Sequence, residues 1–215
     1  LFSKCATALA DAGLSRVTFS LDSLDPVTFE RITGKPGNSI HRIIEGIEMA
    51  VTLGLSPVRI NSVIRRGVNE ADIERLIERF RHLPVALRFI EFMDVGNHNR
   101  WDLASVVPSE EIRQLVQERW NLHQMSPLHT GQVAQHWSLD SDTGFEVGFI
   151  SSVTEPFCGD CNRARLSADG HIYTCLFATS GHDLRPVLRN PEGLETVAER
   201  FHKIWSERED RYSEL

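Results

Sequence analysis

Residues 16 to 22 alternate in polarity, with Val17, Phe19 and Leu21 on one side and Thr18, Ser20 and Asp22 on the other, the period-two pattern of a half-buried strand. Asp25-Pro26 supplies a cap followed by a first-turn proline and predicts a short helix. Ile40, Ile43, Ile44, Ile47 and Val51 then recur at helical spacing up to Gly54, predicting a longer one. Alternation returns over 57 to 64, where Val58 and Ile60 oppose Arg59 and Asn61. Asn69 is the expected cap of the next helix, whose stripe is Ile73, Leu76, Ile77 and Phe80. A third strand is expected over 86 to 92, with Arg88 on the face opposite Leu87 and Phe89.

Strands that alternate with helices predict a parallel sheet with its helices outside. A closed or partial barrel suits this pattern better than a flat sheet covered on both faces, where Ser20, Asp22, Arg59, Asn61 and Arg88 would be hard to satisfy. In a barrel, functional groups gather at the C-terminal ends of the strands. The plainer alternative is that these are strand-edge polar residues reaching water.

A loop of about fifteen residues containing Gly96, Asn97, His98 and Asn99 leads to a helix from Pro108 to about Trp120, with Ile112, Leu115 and Val116 on its apolar side. Residues 132 to 139 and 144 to 150 read as a hairpin about Asp140 to Gly144. Ser151 to Pro156 then opens a small module, and Leu194, Val197, Ala198, Phe201, Ile204 and Trp205 form the stripe of a covering C-terminal helix. Three regions are therefore expected: strand-helix units over 1–107, a connecting helix and hairpin over 108–150, and the small module with its helix over 151–215.

At 215 residues, 41% hydrophobic and 25% charged, the composition is that of a globular protein able to bury a substantial core. No apolar run approaches the roughly 20 residues of a membrane span and Leu1 opens no signal-like segment, so neither membrane association nor secretion is expected and a cytoplasmic location is. The net charge of -7 argues against nucleic-acid binding; a phosphate ligand must be gripped by a local group of arginines. Neither a Gly-x4-Gly-Lys-Ser/Thr loop nor a Gly-x-Gly-x2-Gly fingerprint is present. His41, His123, His129, His136 and His202 have no motif partner and read as surface or core residues. A chain that starts without Met and stops amid charged residues is expected to be a fragment.

Cys158, Cys161 and Cys175 are spaced Cys-x2-Cys-x13-Cys, and the first pair runs into Asn162-Arg163-Ala164-Arg165. Asp169-Gly170 is a hairpin signal that folds 163–167 back onto 171–175 and returns Cys175 toward the pair. On a strand, Arg163 and Arg165 share the face of Cys161. The spacing suits either a closed zinc site, with His171, His182 or Asp160 as a fourth ligand, or an iron-sulfur cluster with one open iron. A disulfide would leave an odd cysteine, and Cys5, in helical register with Ala8, Leu9 and Ala12, reads as a small buried hydrophobe.

Four stretches carry a resemblance: Arg16-Val17-Thr18-Phe19-Ser20-Leu21-Asp22-Ser23-Leu24-Asp25; Ile60-Asn61-Ser62-Val63 with Arg66-Gly67-Val68-Asn69; Arg88-Phe89-Ile90-Glu91-Phe92-Met93-Asp94-Val95-Gly96-Asn97; and Phe157 to Gly170. Across them the chain closely resembles the molybdenum cofactor biosynthesis protein A family, radical S-adenosylmethionine enzymes acting as GTP 3′,8-cyclase. The resemblance implies an α/β fold: the C-terminal part of a partial (βα)6 TIM-type barrel plus a small β-hairpin iron-sulfur module and a covering helix. It implies that Cys158, Cys161 and Cys175 hold an auxiliary [4Fe-4S] cluster whose open iron meets guanine, that Arg163, Ala164 and Arg165 bind GTP, and that Ser20 and Met93 contact S-adenosylmethionine. Arg59 falls where the family has a GTP-binding lysine, exchanging a point charge for a planar fork, and Arg88 joins the same basic group.

The resemblance further implies conversion of GTP to 3′,8-cyclo-7,8-dihydroguanosine 5′-triphosphate, a downstream cyclic pyranopterin monophosphate synthase as partner, and room for a homodimer. It also marks two departures. The Cys-x3-Cys-x2-Cys loop for the cluster that cleaves S-adenosylmethionine is missing, as is the Gly-Gly tail. The expectation is a piece truncated at both ends, with no residue identifiable as catalytic and no radical formation of its own; the second [4Fe-4S] cluster belongs to the absent N-terminal part. Two other readings compete: a radical S-adenosylmethionine enzyme acting on peptides, disfavoured by the arginines beside the cysteines, and a non-catalytic zinc-binding scaffold.

Overall fold

A computed structural model describes residues 2–94, 101–127, 129, 131–139, 143–189 and 194–210. These fall into two compact units, one holding the residues up to Asp94 and from 101 to Glu155, the other those from Pro156 onward. The loop residues Gly96, Asn97, His98 and Asn99 lie outside the described residues, as does Asp140.

In the first unit the alternating segments form strands β1 (Val17–Ser20), β2 (Val58–Ile64) and β3 (Val85–Glu91), and the 144–150 segment forms β6 (Glu146–Ile150). Helices α2 (Pro26–Thr33), α3 (Ser39–Thr52) and α4 (Asp72–Phe80) fill the connections, and α1 (Phe2–Asp11) precedes β1. After β3 come α5 (Ser109–Gln117) and two further strands, β4 (Leu122–Gln124) and β5 (Gln135–Leu139). The sheet order is β1-β2-β3-β6-β5-β4, with parallel pairing from β1 through β6 and antiparallel pairing beyond it. The parallel α/β arrangement read from the sequence is therefore present; the hairpin of β5 and β6 extends the sheet rather than standing apart from it.

Strand β2 shows why the sheet has two unlike faces. Its residues alternate strictly, with Val58, Ile60, Ser62 and Ile64 buried and Arg59, Asn61 and Val63 half-exposed. The buried side joins Leu87, Phe89, Val147 and Phe149 to Ile47, Leu76, Ile77, Phe80, Ile112 and Val116 of the helices. Burying one large apolar side chain contributes about 1.5–3 kcal/mol, and five phenylalanines of this unit are wholly enclosed: Phe29, Phe80, Phe89, Phe145 and Phe149.

Two sequence expectations fail in this unit. Asn69 does not cap α4, whose cap position is Ala71. Its amide instead donates to the carbonyls of Asp22 and Val63 at 2.7 and 2.9 Å while its Oδ1 accepts the Arg65 amide at 2.8 Å, because a buried turn with open backbone groups is a stronger claim on an amide side chain than a solvated helix start. Cys5 is half-buried, and Ala8, Leu9 and Ala12 are exposed. The inward side of α1 is Phe2, Ala6 and Ala10 at i, i+4 spacing, a competing stripe that the alanine-rich helix offers one turn-phase away.

In the second unit β7 (Arg165–Leu166), β8 (His171–Tyr173) and β9 (His182–Asp183) form a small antiparallel sheet. It packs on a core of Ile172, Leu184 and Ile204 with Val187 from α6 (Arg185–Leu188) and α7 (Leu194–Ser206). The turn at Asp169-Gly170 is present, with Gly170 at φ +83 and Leu166 paired to Ile172. Residues 161–164 are not a strand, so period-two alternation does not place Cys161 and Arg163 on one face. The α7 stripe is mostly open: Ile204 is buried, whereas Ala198 and Phe201 are exposed and Val197 and Trp205 half-buried. Among the described residues no helix is long and apolar enough to cross a membrane.

Candidate functional site

Register turns the polar side of the first unit's sheet into ordered rows. Ser20 pairs with Asn61, Asn61 with Arg88, Arg88 with Gly148 and Gly148 with His136, so these five residues stand side by side across five strands on one face. The next row, two residues back, is Thr18, Arg59, Ala86, Glu146 and Ser138. Ser20, Arg59 and Arg88, separated widely in sequence, are thereby brought onto one surface. Met93 follows β3 by two residues, half-buried.

The surface is electrostatically unfinished. The Nε atoms of Arg59 and Arg88 and the Oδ1 of Asn61 are buried and meet no hydrogen-bond partner among the described residues. A buried donor left without an acceptor costs about 1–3 kcal/mol. Burial, and after it the neighbouring Arg59, pushes the Arg88 guanidinium down to about 10, with Glu146 acting the other way, so it remains charged at neutral pH. His136 holds the Glu146 carboxyl below its usual range through a hydrogen bond of 2.8 Å. Two fixed cations with open N–H groups can take an anionic, oxygen-rich ligand through charge-assisted hydrogen bonds.

Two carboxylates frame the strand ends. Burial pushes the Asp22 carboxyl above its ordinary value, although the Val63 amide donates to it at 2.8 Å. Glu91, the last residue of β3, is fully buried and accepts from the amides of Ser109, Val153 and Thr154 and from the Thr154 hydroxyl. It binds the strand end to α5 and to the 151–155 turn. Neither the Glu91 latch nor the His136 contact had a sequence signature, since their partners lie 10 to 63 residues away.

In the second unit Cys158, Cys161 and Cys175 are half-buried free thiols. The Cys161 amide donates to the Cys158 carbonyl at 3.2 Å, which closes the Cys-x2-Cys turn, and the Phe177 amide approaches Cys175 Sγ at 3.5 Å. Arg163 lies over the Phe157 ring at 5.0 Å and its Nε donates to Cys161 Sγ at 3.3 Å; Arg165 is exposed. Burial raises the Cys161 thiol, but the Arg163 amide and guanidinium outweigh it, and the thiol lies below its ordinary value. Arg208 stacks on Trp205 at 4.4 Å and donates to the carbonyls of Cys161 and Cys158 at 2.7 and 3.5 Å. The donor chemistry, three thiols outside any disulfide with Arg163 at one of them, suits an iron-sulfur cluster. Among the described residues, however, no three His, Cys, Asp or Glu side chains are gathered closely enough to hold a metal ion.

The chain is 47% identical over 215 residues to a GTP 3′,8-cyclase of Xanthomonas axonopodis pv. citri (strain 306), covering all of this chain and 63% of that relative. It is 44% identical over 221 residues to one of Acidothermus cellulolyticus (strain ATCC 43068 / DSM 8971 / 11B), covering 60% of it, and 38% identical over 215 residues to one of Staphylococcus aureus (strain MRSA252), covering 62%. The chain thus spans between 60% and 63% of the length of these curated relatives. The Radical SAM superfamily model matches residues 4–80. The model of the Molybdenum Cofactor Synthesis C family matches residues 85–214, from β3 through the cysteine turn to α7 and beyond, and the chain belongs to that family.

Proposed function

We propose that this chain is the substrate-side part of a GTP 3′,8-cyclase, acting in molybdenum cofactor biosynthesis by radical S-adenosylmethionine chemistry. The observation that carries the reading is the polar face of the first unit, where Arg88, in the row of Ser20, and Arg59, one row back, keep unmet N–H groups. On this reading Arg59 and Arg88 take anionic oxygens of GTP, while Ser20 and Met93 lie against S-adenosylmethionine. Cys158, Cys161 and Cys175 hold an auxiliary [4Fe-4S] cluster, and Arg163, Ala164 and Arg165 bind GTP on the second unit. The first unit is then part of a partial barrel and the second a cluster module.

The complete enzyme would convert GTP to 3′,8-cyclo-7,8-dihydroguanosine 5′-triphosphate in the cytoplasm, with a pyranopterin-forming synthase downstream and a homodimer as its assembly. A cluster bound at the cysteine turn would supply an open iron for the purine; the arginines would grip and orient charge. Equilibrium titration of GTP into the full-length protein, reconstituted anaerobically, tests the reading. Arg88→Ala and Arg163→Ala should each weaken GTP about tenfold, since one charge-assisted contact is worth about 1.5–3 kcal/mol. Surface ion pairs of about 0–1 kcal/mol would leave affinity unchanged. Unaltered binding in both variants, or zinc in place of iron and sulfide, overturns the assignment.

A further inference from the structure

His136 stands opposite Gly148, and Gly148 stands opposite Arg88. Two interstrand steps of about 4.8 Å each separate the arginine from the histidine. The absent side chain between them is what lets Arg88 cross: a Cβ at position 148 would lie 3.0 Å from Arg88 Cγ. The crossing ends with Arg88 Nη2 at 3.3 Å from His136 Nε2, and the other ring nitrogen, Nδ1, lies 2.8 Å from Glu146 Oε2. Glu146 is two residues back from Gly148 on the same strand and therefore on the same face.

The partners assign the ring proton. A guanidinium only donates, so Nε2 must accept, and the proton sits on Nδ1 pointing at the carboxylate. Arg88, His136 and Glu146 thus form a directional chain of hydrogen bonds that ends on a charge. His136 is 7% exposed, and the paired strands β5 and β6 hold it in place. One Nη of Arg88 is consumed by this contact, while its Nε stays unpartnered beside the equally open Nε of Arg59 and Oδ1 of Asn61. Stability alone does not account for such a network, because apolar residues of similar volume often replace buried charge networks without loss of stability. What it supplies is orientation.

On the reading that this face binds GTP, we infer that His136, held by Glu146, is a positioning residue for Arg88. It fixes the plane of the guanidinium so that the remaining N–H edge meets the anionic oxygens of the substrate. Gly148 is the gap through which it acts.

GTP affinity of the full-length, anaerobically reconstituted protein decides the matter, measured in His136→Leu, His136→Gln, Glu146→Gln and Arg88→Ala and in combinations with Arg88→Ala. Leucine keeps volume but removes the acceptor, and should weaken GTP about tenfold; glutamine places an acceptor near the position of Nε2 and should recover all but about threefold. Glu146→Gln, half-exposed and tolerant of the change, should weaken GTP by about threefold. None should weaken it further once Arg88 is alanine, the sign of action through that residue. Wild-type affinity in His136→Leu, or an equal loss in the Arg88→Ala background, overturns the inference while leaving the GTP reading intact. Wild-type affinity in Arg88→Ala removes the inference together with the place of Arg88 in the GTP site, whereas the GTP reading itself falls only if Arg163→Ala is also unaltered.

Discussion

Thr154 donates both its amide and its hydroxyl to the Glu91 carboxylate, at 2.9 and 2.5 Å, across 63 residues of sequence. With the amides of Ser109 and Val153 the carboxylate accepts four hydrogen bonds, the full capacity of its two oxygens. The end of β3 is thereby fixed to α5 and to the turn that precedes the second unit in sequence, and β3 is the strand that carries Arg88.

Glu91→Ala should destabilise the first unit by about 3–5 kcal/mol, because three backbone amides and a hydroxyl lose a buried partner at once. Glu91→Gln keeps one acceptor oxygen but turns an NH2 toward donors, and should cost less than alanine but remain clearly damaging. Urea midpoints followed by tryptophan fluorescence check both. A midpoint within experimental error of wild type for Glu91→Ala means that the latch contributes nothing.

Asn69 separates two accounts of one residue. If it were a helix cap, Asn69→Asp would be harmless and Asn69→Ala would cost about 1 kcal/mol. The observed contacts require an NH2 group donating to the carbonyls of Asp22 and Val63, so aspartate places oxygen against oxygen. Asn69→Asp should therefore be at least as destabilising as Asn69→Ala in thermal unfolding, with losses of about 2–4 kcal/mol. A stable Asn69→Asp variant restores the cap.

The Glu146 carboxyl titrates below the ordinary 4.5 in the folded protein, chiefly through its hydrogen bond to His136. A lowered folded value means that the contribution is complete above about pH 4.5 and is lost as the pH falls through the folded value. The stability difference between wild type and Glu146→Gln should be constant at higher pH and close on acidification below that point. A gap that widens in acid has the wrong sign for this assignment.

The strands, the stripes of α3, α4 and α5 and the polar side of β2 are legible because an apolar period of 2 or 3.6 survives wherever a strand or helix buries one side. So is the turn at Asp169-Gly170, whose glycine adopts φ +83. What periodicity could not supply was register: it says that Arg59 and Arg88 face away from the core, not that Arg88 stands beside Gly148 and reaches His136. For the same reason His136 looked unemployed and Glu91 anonymous. The α1 stripe was misphased because an alanine-rich helix gives two faces of similar polarity, and only packing against α3 chooses between them. The hairpin signal predicts pairing over 163–167, yet only Arg165 and Leu166 pair, since the Cys158–Cys161 turn occupies the chain just before them.

The Cys-x2-Cys turn is held from outside by Arg208, whose fork spans the carbonyls of Cys158 and Cys161 while its plane lies on Trp205. Residues that orient ligands commonly change metal affinity by about ten- to a hundredfold when removed. In the full-length protein, Arg208→Ala should therefore lose iron and sulfide from the auxiliary site several times faster than wild type during anaerobic chelator challenge. Arg208→Lys retains a charge but neither the second donor nor the planar stack, and should fall between them. Cys175→Ala should abolish loading there, whereas Cys5→Ala, half-buried on α1 in the other unit, should load normally. Equal iron loss in Cys5→Ala and Cys175→Ala overturns the ligand assignment, and wild-type retention in Arg208→Ala shows that the turn needs no outside clamp.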